Sequence, residues 1–151
     1  MKVLLTMVNG SSMNNVIANG DLVLLKKRTK IKTGDVFAYK QNGNYIVHRA
    51  LFVGMGYVWE IGDNNYRINK VKKDEILAKV IANITQQKDL DNPKLNKRIR
   101  NVNLIRYLFH KRFRSTKELM KKKGAKRIFV NIIKKRNDLQ EQYSNMGGEW
   151  G

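Results

Sequence analysis

The 151-residue chain has no cysteine, a single proline and only two histidines, His48 and His110. Without cysteine there can be no disulfide, no thiolate zinc site and no cysteine nucleophile. The two histidines lie 62 residues apart, so they form no local histidine-rich metal motif. We therefore expect any chemistry to depend on oxygen and nitrogen side chains, with no metal and no other cofactor.

Long apolar runs are also absent. No uninterrupted stretch approaches the roughly 20 residues that a membrane-spanning helix requires. The apolar run at residues 3–8 is shorter than the hydrophobic region of a secretory signal, and no small-residue cleavage site follows it. The sequence thus predicts a cytoplasmic or peripheral membrane protein.

Acidic residues are scarce, with 12 Asp and Glu against 31 Lys and Arg, which gives a net charge of +19. The excess of positive charge is concentrated in residues 86–140, which contain 18 basic and 4 acidic residues. Such a segment usually has a polyanionic partner, either nucleic acid or an anionic membrane. Charge alone does not choose between the two.

The first 85 residues carry short apolar runs separated by turn residues, a pattern typical of strands. The predicted strands are residues 3–8, 21–25, 36–39, 45–53, 57–61 and 76–84. Asn42-Gly43 and the pair Gly54 and Gly56 predict positive φ angles in the turns of two consecutive hairpins. Residues 86–96, which include Pro93, predict a connection.

Helical spacing replaces this pattern after residue 96. The apolar residues of a predicted basic amphipathic helix are Val102, Ile105, Leu108, Phe109 and Phe113. A capping-box pattern at residues 115–118 and an apolar stripe up to Ile133 predict a second helix. We predict a mainly β fold, α+β when the helices are included. It consists of a β domain at 1–85, a connection at 86–96, a basic helical extension at 97–143 and a flexible tail at 144–151.

Four short motifs follow one another along the β domain: Asn9-Gly10-Ser11-Ser12-Met13, Gly34-Asp35, Ile46-Val47-His48-Arg49 and Gly62-Asp63-Asn64-Asn65. In this order they resemble the signal peptidase I family over about residues 3–82. The likeness is to the branch that uses serine and histidine rather than serine and lysine. Self-cleaving repressors share this fold, which is the S24/S26 type of serine peptidase. The resemblance implies a signal-peptidase-like β catalytic domain.

The resemblance also implies a role for individual residues. Ser12 stands at the nucleophile, Met13 at a wall of the substrate cleft and His48 at the general base. A free imidazole has a pKa of about 6.5, so it can accept a serine proton near pH 7. The Ser12 amide, with Ser11, would serve as the oxyanion hole. Asp63 would orient the imidazole, as the third member of a triad does.

Two positions depart from the family pattern. Asn69 stands where relatives that use histidine have a further aspartate, and Asn15 stands where the family usually has proline. Either Asp63 therefore orients His48 directly, or an amide or water supports a Ser-His dyad. An Asp followed by two Asn residues also commonly ties its own turn, which is the structural alternative for Asp63.

The implied activity is endopeptidase cleavage of a leader or signal peptide from a small precursor, with small side chains before the cut. The alternative is a degenerate relative that acts as a basic module for membrane or nucleic acid. The basic helices fit an anionic membrane surface better than nucleic acid, because their aromatic residues follow the apolar stripe. They equally fit a helical hairpin packed on the β domain with a solvated basic face. His110 is predicted to be a residue of the polar face.

Overall fold

The computed structural model describes residues 2–27 and 30–114, together with residues 131, 134–135 and 137–138. The strands are β1 (Val3–Met7), β2 (Leu22–Lys27), β3 (Val36–Gln41), β4 (Asn44–Val53), β5 (Tyr57–Ile61), β6 (Ile68–Lys72), β7 (Ile76–Asn83) and β8 (Lys88–Asp89). A single 3₁₀ turn, Lys73–Glu75, joins β6 to β7, and the helix α1 spans Pro93–Arg114.

The strands form one antiparallel sheet in the order β1-β2-β7-β3-β4-β5-β6, with β8 pairing β7. β1 and β6 lie at the two ends of this order, so each has one neighbouring strand within the described part of the chain. The predicted fold class, a mainly β domain with a C-terminal helix, is confirmed.

Both predicted hairpins are present, although only one has the predicted turn chemistry. Asn42 and Gly43 have φ angles of 49° and 80° between β3 and β4. Gly54 and Gly56 do not have positive φ. Gly54 instead lies against Trp59, since an added Cβ would come within 3.0 Å of the indole ring. β6 and β8 were not predicted from the sequence, because β6 is a short lysine-rich edge strand and β8 has only two residues.

Two hydrophobic clusters fill the space around the sheet. Residues alternate between the faces of a strand, so Val36 and Ala38 of β3 join one cluster while Phe37 and Tyr39 join the other. The first cluster also holds three residues of α1, listed as Leu95, Ile99 and Val102, and three residues just after Ser12, listed as Met13, Val16 and Ile17. The helix and the segment after Ser12 therefore share one core.

The helix α1 begins at Pro93, inside the segment predicted to be a connection. Asn92 caps it, since its Oδ1 accepts the Leu95 N–H at 3.1 Å, and proline is favoured at the first helical position.

The buried face of α1 differs from the predicted stripe, because Ile105 and Leu108 are 47% and 54% exposed. Asn96, Asn103 and Arg106 are buried instead. These polar side chains are tolerated there because each one makes at least one hydrogen bond to the β domain.

Within the described part of the chain, we find no helix with both the length and the hydrophobicity that crossing a bilayer requires. The predicted second helix, with its stripe up to Ile133, falls mostly outside the described residues. The predicted tail at 144–151 falls wholly outside them.

Candidate active site

Ser12 lies in a turn that follows β1. Gly10 enters this turn with a φ of 121°, a conformation that favours glycine, and its N–H donates to Asn19 Oδ1 at 2.9 Å. The N–H groups of Val16 and Ile17 both donate to the Met13 carbonyl at 2.8 Å. Because Met13, Val16 and Ile17 are buried, the core anchors the turn directly behind Ser12.

His48 lies in β4 and faces Ser12. The distance from His48 Nε2 to Ser12 Oγ is 3.0 Å, which is hydrogen-bonding distance. The His48 side chain is buried. The structure therefore brings together the two residues that the sequence motifs predicted as nucleophile and base.

Glu60 of β5 contacts the other side of the imidazole. Its Oε2 lies 2.5 Å from His48 Nδ1, and neither atom has another polar partner among the described residues. Glu60 Oε1 accepts the Tyr39 hydroxyl at 3.0 Å and the Asn69 amide at 2.7 Å. Burial and the nearby Glu60 carboxylate raise the pKa of Tyr39, which keeps its hydroxyl protonated and able to donate.

The register of the sheet explains how Glu60 reaches His48. Glu60 is paired with Ala50, and His48 lies two residues before Ala50 on the same face of β4. Asn69 is paired with Glu60 across β5 and β6. Glu60 belongs to none of the four sequence motifs and was not predicted as a site residue. An acidic residue inside an otherwise apolar strand, Tyr57–Ile61, was the signal that could have found it.

Asp63, the carboxylate predicted to orient His48, lies elsewhere. Its two oxygens accept from Arg49 Nε at 2.8 Å and Arg49 Nη2 at 2.7 Å, and Oδ1 also accepts the Asn103 amide at 2.5 Å. Arg49 and Asp63 are both fully buried. Arg49 follows His48 in an extended strand, so its side chain projects from the opposite face of β4. The structure thus corrects the placement: Glu60 rather than Asp63 contacts the imidazole.

The 62–65 loop, made of Gly62, Asp63, Asn64 and Asn65, holds the backbone around Ser12. The Asn64 N–H donates to the Ser12 carbonyl at 2.7 Å, and the Asn64 side-chain amide donates to the Ser11 carbonyl at 3.2 Å. The Asp63 N–H donates to Met13 Sδ at 3.2 Å. A Cβ on Gly62 would come within 2.6 Å of the Ser12 carbonyl oxygen, so glycine is required for this approach.

A groove of about 930 Å³ opens beside Ser12. β1 and the start of β4 contribute to its lining, which includes Leu5, Met7, Met13, Ile46, Val47 and Leu77. Leu5 and Met7 are 57% and 58% exposed, and among the described residues β1 pairs only with β2. The backbone N–H and C=O groups along the other edge of β1 can therefore pair with an additional extended segment.

This arrangement can transfer a proton. A carboxylate beside Nδ1 favours the imidazole tautomer with its proton on that nitrogen. Nε2 is then free to accept the hydroxyl proton of Ser12 as the oxygen attacks. Among the described residues, no group of three or more His, Asp or Glu side chains could hold a metal ion.

Comparison with known families agrees with this site. Residues 1–81 match the family described as peptidase S24-like. The chain belongs to this S24-like peptidase family. Membership indicates a serine peptidase type of function for the domain that carries Ser12 and His48. No curated protein matches the chain.

The S24-like match ends within β7, so α1 lies beyond it. The matched residues include Ser12, His48, Glu60 and Asp63. Asn96, Asn103 and Arg106, which contact the site's supporting residues from α1, are outside the family match. Sequence motifs of the family could not have indicated these three.

Proposed function

We propose that this S24-like protein is a serine endopeptidase in which Ser12 is the nucleophile, His48 the general base and Glu60 the carboxylate that orients His48. The Ser12 amide, with Ser11, is proposed to stabilise the oxyanion. This proposal keeps the predicted nucleophile and base, and it transfers the orienting role from Asp63 to Glu60.

The observation that carries the proposal is the continuous chain of contacts from Ser12 Oγ through the imidazole to Glu60. A purely structural role for His48 would not require this chain of contacts, because the ring nitrogens of a buried histidine can find hydrogen-bond partners without a serine hydroxyl beside a groove. The carboxylate is held by two further donors, Tyr39 and Asn69, so its position is fixed before substrate binds.

The proposed substrate is an extended peptide that adds as a strand along β1 and passes Ser12. The apolar lining of the groove supports binding of apolar side chains. Within the proposal, the enzyme belongs to the signal peptidase I-like branch that uses histidine. It removes a leader or signal peptide from a small precursor, after small side chains.

The test is cleavage of a defined peptide library, followed by mass spectrometry. Purified wild-type protein should produce a consistent set of cuts, and Ser12→Ala should produce none while unfolding at the wild-type temperature. Equal cleavage by the two proteins would refute the assignment. If neither protein cleaves and both bind anionic ligands, the alternative of a non-catalytic basic module is favoured.

We also propose a peripheral contact of α1 with an anionic membrane. The helix contains eight Lys and Arg residues and no acidic residue, and Lys94, Lys97, Arg98 and Lys111 are exposed. The exposed Ile105 and Leu108 lie on the same side, one turn apart. Apolar residues bordered by cations are typical of helices that lie on anionic bilayers. Nucleic acid is the less favoured partner, because the described side chains on this exposed side include no aromatic platform.

A further inference from the structure

The helix α1 packs against the turn that carries Ser12, although it follows the family-matched region. Ile99 and Val102 belong to the same hydrophobic cluster as Met13 and Ile17. Gly34, at the start of the β3 hairpin, also approaches the helix, since an added Cβ would lie 3.1 Å from the Asn96 carbonyl carbon. The helix is therefore part of the domain that holds the site.

Three buried polar side chains of α1 contact the residues that support the site. Asn96 Oδ1 accepts from Arg49 Nη1 at 2.8 Å, and Asn103 Nδ2 donates to Asp63 Oδ1 at 2.5 Å. Arg106 Nη2 donates to the Asn65 carbonyl at 2.6 Å, and its guanidinium lies over the Tyr66 ring at 4.8 Å. The contacts of Asn103 and Arg106 reach the 62–65 loop directly, and Asn96 contacts Arg49, the ion-pair partner of Asp63.

The same loop is hydrogen-bonded to the residues around Ser12. Asn64 donates to the carbonyls of Ser12 and Ser11, and the Asp63 N–H donates to Met13 Sδ. Because Gly62 lies in close contact with the Ser12 backbone, a shift of the loop must displace the serine. The distance from Ser12 Oγ to His48 Nε2 is 3.0 Å, so a displacement of about 1 Å would break that contact.

We propose that α1 is a positioning element of the active site, in which Asn103 and Arg106 fix the 62–65 loop and the loop fixes Ser12 against His48. Neither residue touches the reacting atoms. Their effect is on the geometry of the nucleophile, and the effect on turnover rests on the peptidase activity proposed above.

The kinetic test compares Asn103→Ala with Ile31→Ala. Both truncate a buried side chain, but Ile31 belongs to the second hydrophobic cluster, which contains no residue of α1 and none of the core residues behind Ser12. Asn103→Ala should lower kcat between about tenfold and 100-fold with little change in KM, as expected for a misplaced reacting group. Ile31→Ala should lower the unfolding temperature and leave kcat within about twofold of wild type. Equal kcat values for the two variants would overturn the proposal.

A second pair of variants covers the case in which Asn103→Ala does not fold. Arg106→Met keeps an apolar stem but removes the donor to the Asn65 carbonyl, and Arg106→Lys keeps a cationic donor. The methionine variant should lose kcat and the lysine variant should recover part of it. Full kcat in Arg106→Met would contradict a positioning role.

An NMR measurement separates this proposal from the peptidase activity itself. His48 is one of only two histidines, so its ring resonances are identified as those that disappear from the spectrum of His48→Gln. In Asn103→Ala, or Arg106→Met, the His48 resonances should move toward their positions in Ser12→Ala, which lacks the hydroxyl contact. They should stay unchanged in Ile31→Ala. Unchanged His48 resonances in folded Asn103→Ala and Arg106→Met would overturn the positioning role, whether or not any peptide is cleaved.

Discussion

The substitution Glu60→Gln separates the two carboxylates near the site. Glu60 Oε1 already accepts from Tyr39 and Asn69, so the glutamine carbonyl oxygen should keep that position. The glutamine NH₂ group then faces His48 Nδ1 in place of Oε2. An amide donor at this point places the ring proton on Nε2, which prevents His48 from accepting the proton of Ser12.

The expected loss in kcat is about 10⁴-fold, the magnitude seen when a triad carboxylate becomes an amide. That loss corresponds to about 5 kcal/mol of transition-state stabilisation. The protein should remain folded, because the glutamine has the shape of glutamate and keeps both hydrogen bonds to Oε1. The assay is kcat on the best-cleaved library peptide, with thermal unfolding of the same sample.

Asp63→Asn is the matched control. It removes the charge partner of the buried Arg49, which should cost about 3 to 5 kcal/mol of folding stability. Activity per folded molecule should fall far less than in Glu60→Gln. The assignment of Glu60 would be refuted if Glu60→Gln kept kcat within about threefold of wild type, or if Asp63→Asn lost turnover with no loss of stability.

Two further predictions concern residue 69 and the helix. Asn69→Asp replaces a donor to Glu60 with a second carboxylate, so like charges should weaken the hold on Glu60 and lower kcat; a gain in kcat would favour the dyad alternative. In liposome flotation, binding should require anionic lipid, weaken with salt because exposed charges are screened over about 8 to 10 Å, and decrease when Ile105 and Leu108 become serine. If the serine variant floats like wild type, charge alone explains binding and the apolar contact is refuted; if nucleic acid displaces the liposomes at physiological salt, nucleic acid is the preferred partner.

The fold class followed from local patterns, but the identity of the third site residue did not. Strand periodicity and the Asn42-Gly43 turn are local signals, and each was confirmed at its position. The proximity of Glu60 to His48 depends on the register between β4 and β5, which residue spacing alone does not give. Asp63 was chosen because it belongs to a recognisable motif, whereas its partner in the structure is Arg49.

The buried side of α1 is a second feature that the sequence pattern did not predict. The apolar stripe predicted an amphipathic helix but not its buried side: Ile105 and Leu108 are exposed, whereas Asn103 and Arg106 are buried. Their burial depends on acceptors supplied by Asp63 and the Asn65 carbonyl, which lie 40 and 41 residues away in the sequence. Periodicity of hydrophobic residues cannot report such partners.

Covalent labelling of Ser12 tests the central claim most directly. A phosphonate diester of the best-cleaved peptide should react with wild-type protein in a time-dependent manner, and tandem mass spectrometry should place the adduct on Ser12 alone. Labelling should be lost in His48→Gln, because the hydroxyl then has no base. An adduct on another residue, labelling that is unaffected by His48→Gln, or no adduct under conditions in which the peptide is cleaved would contradict a Ser12 nucleophile activated by His48.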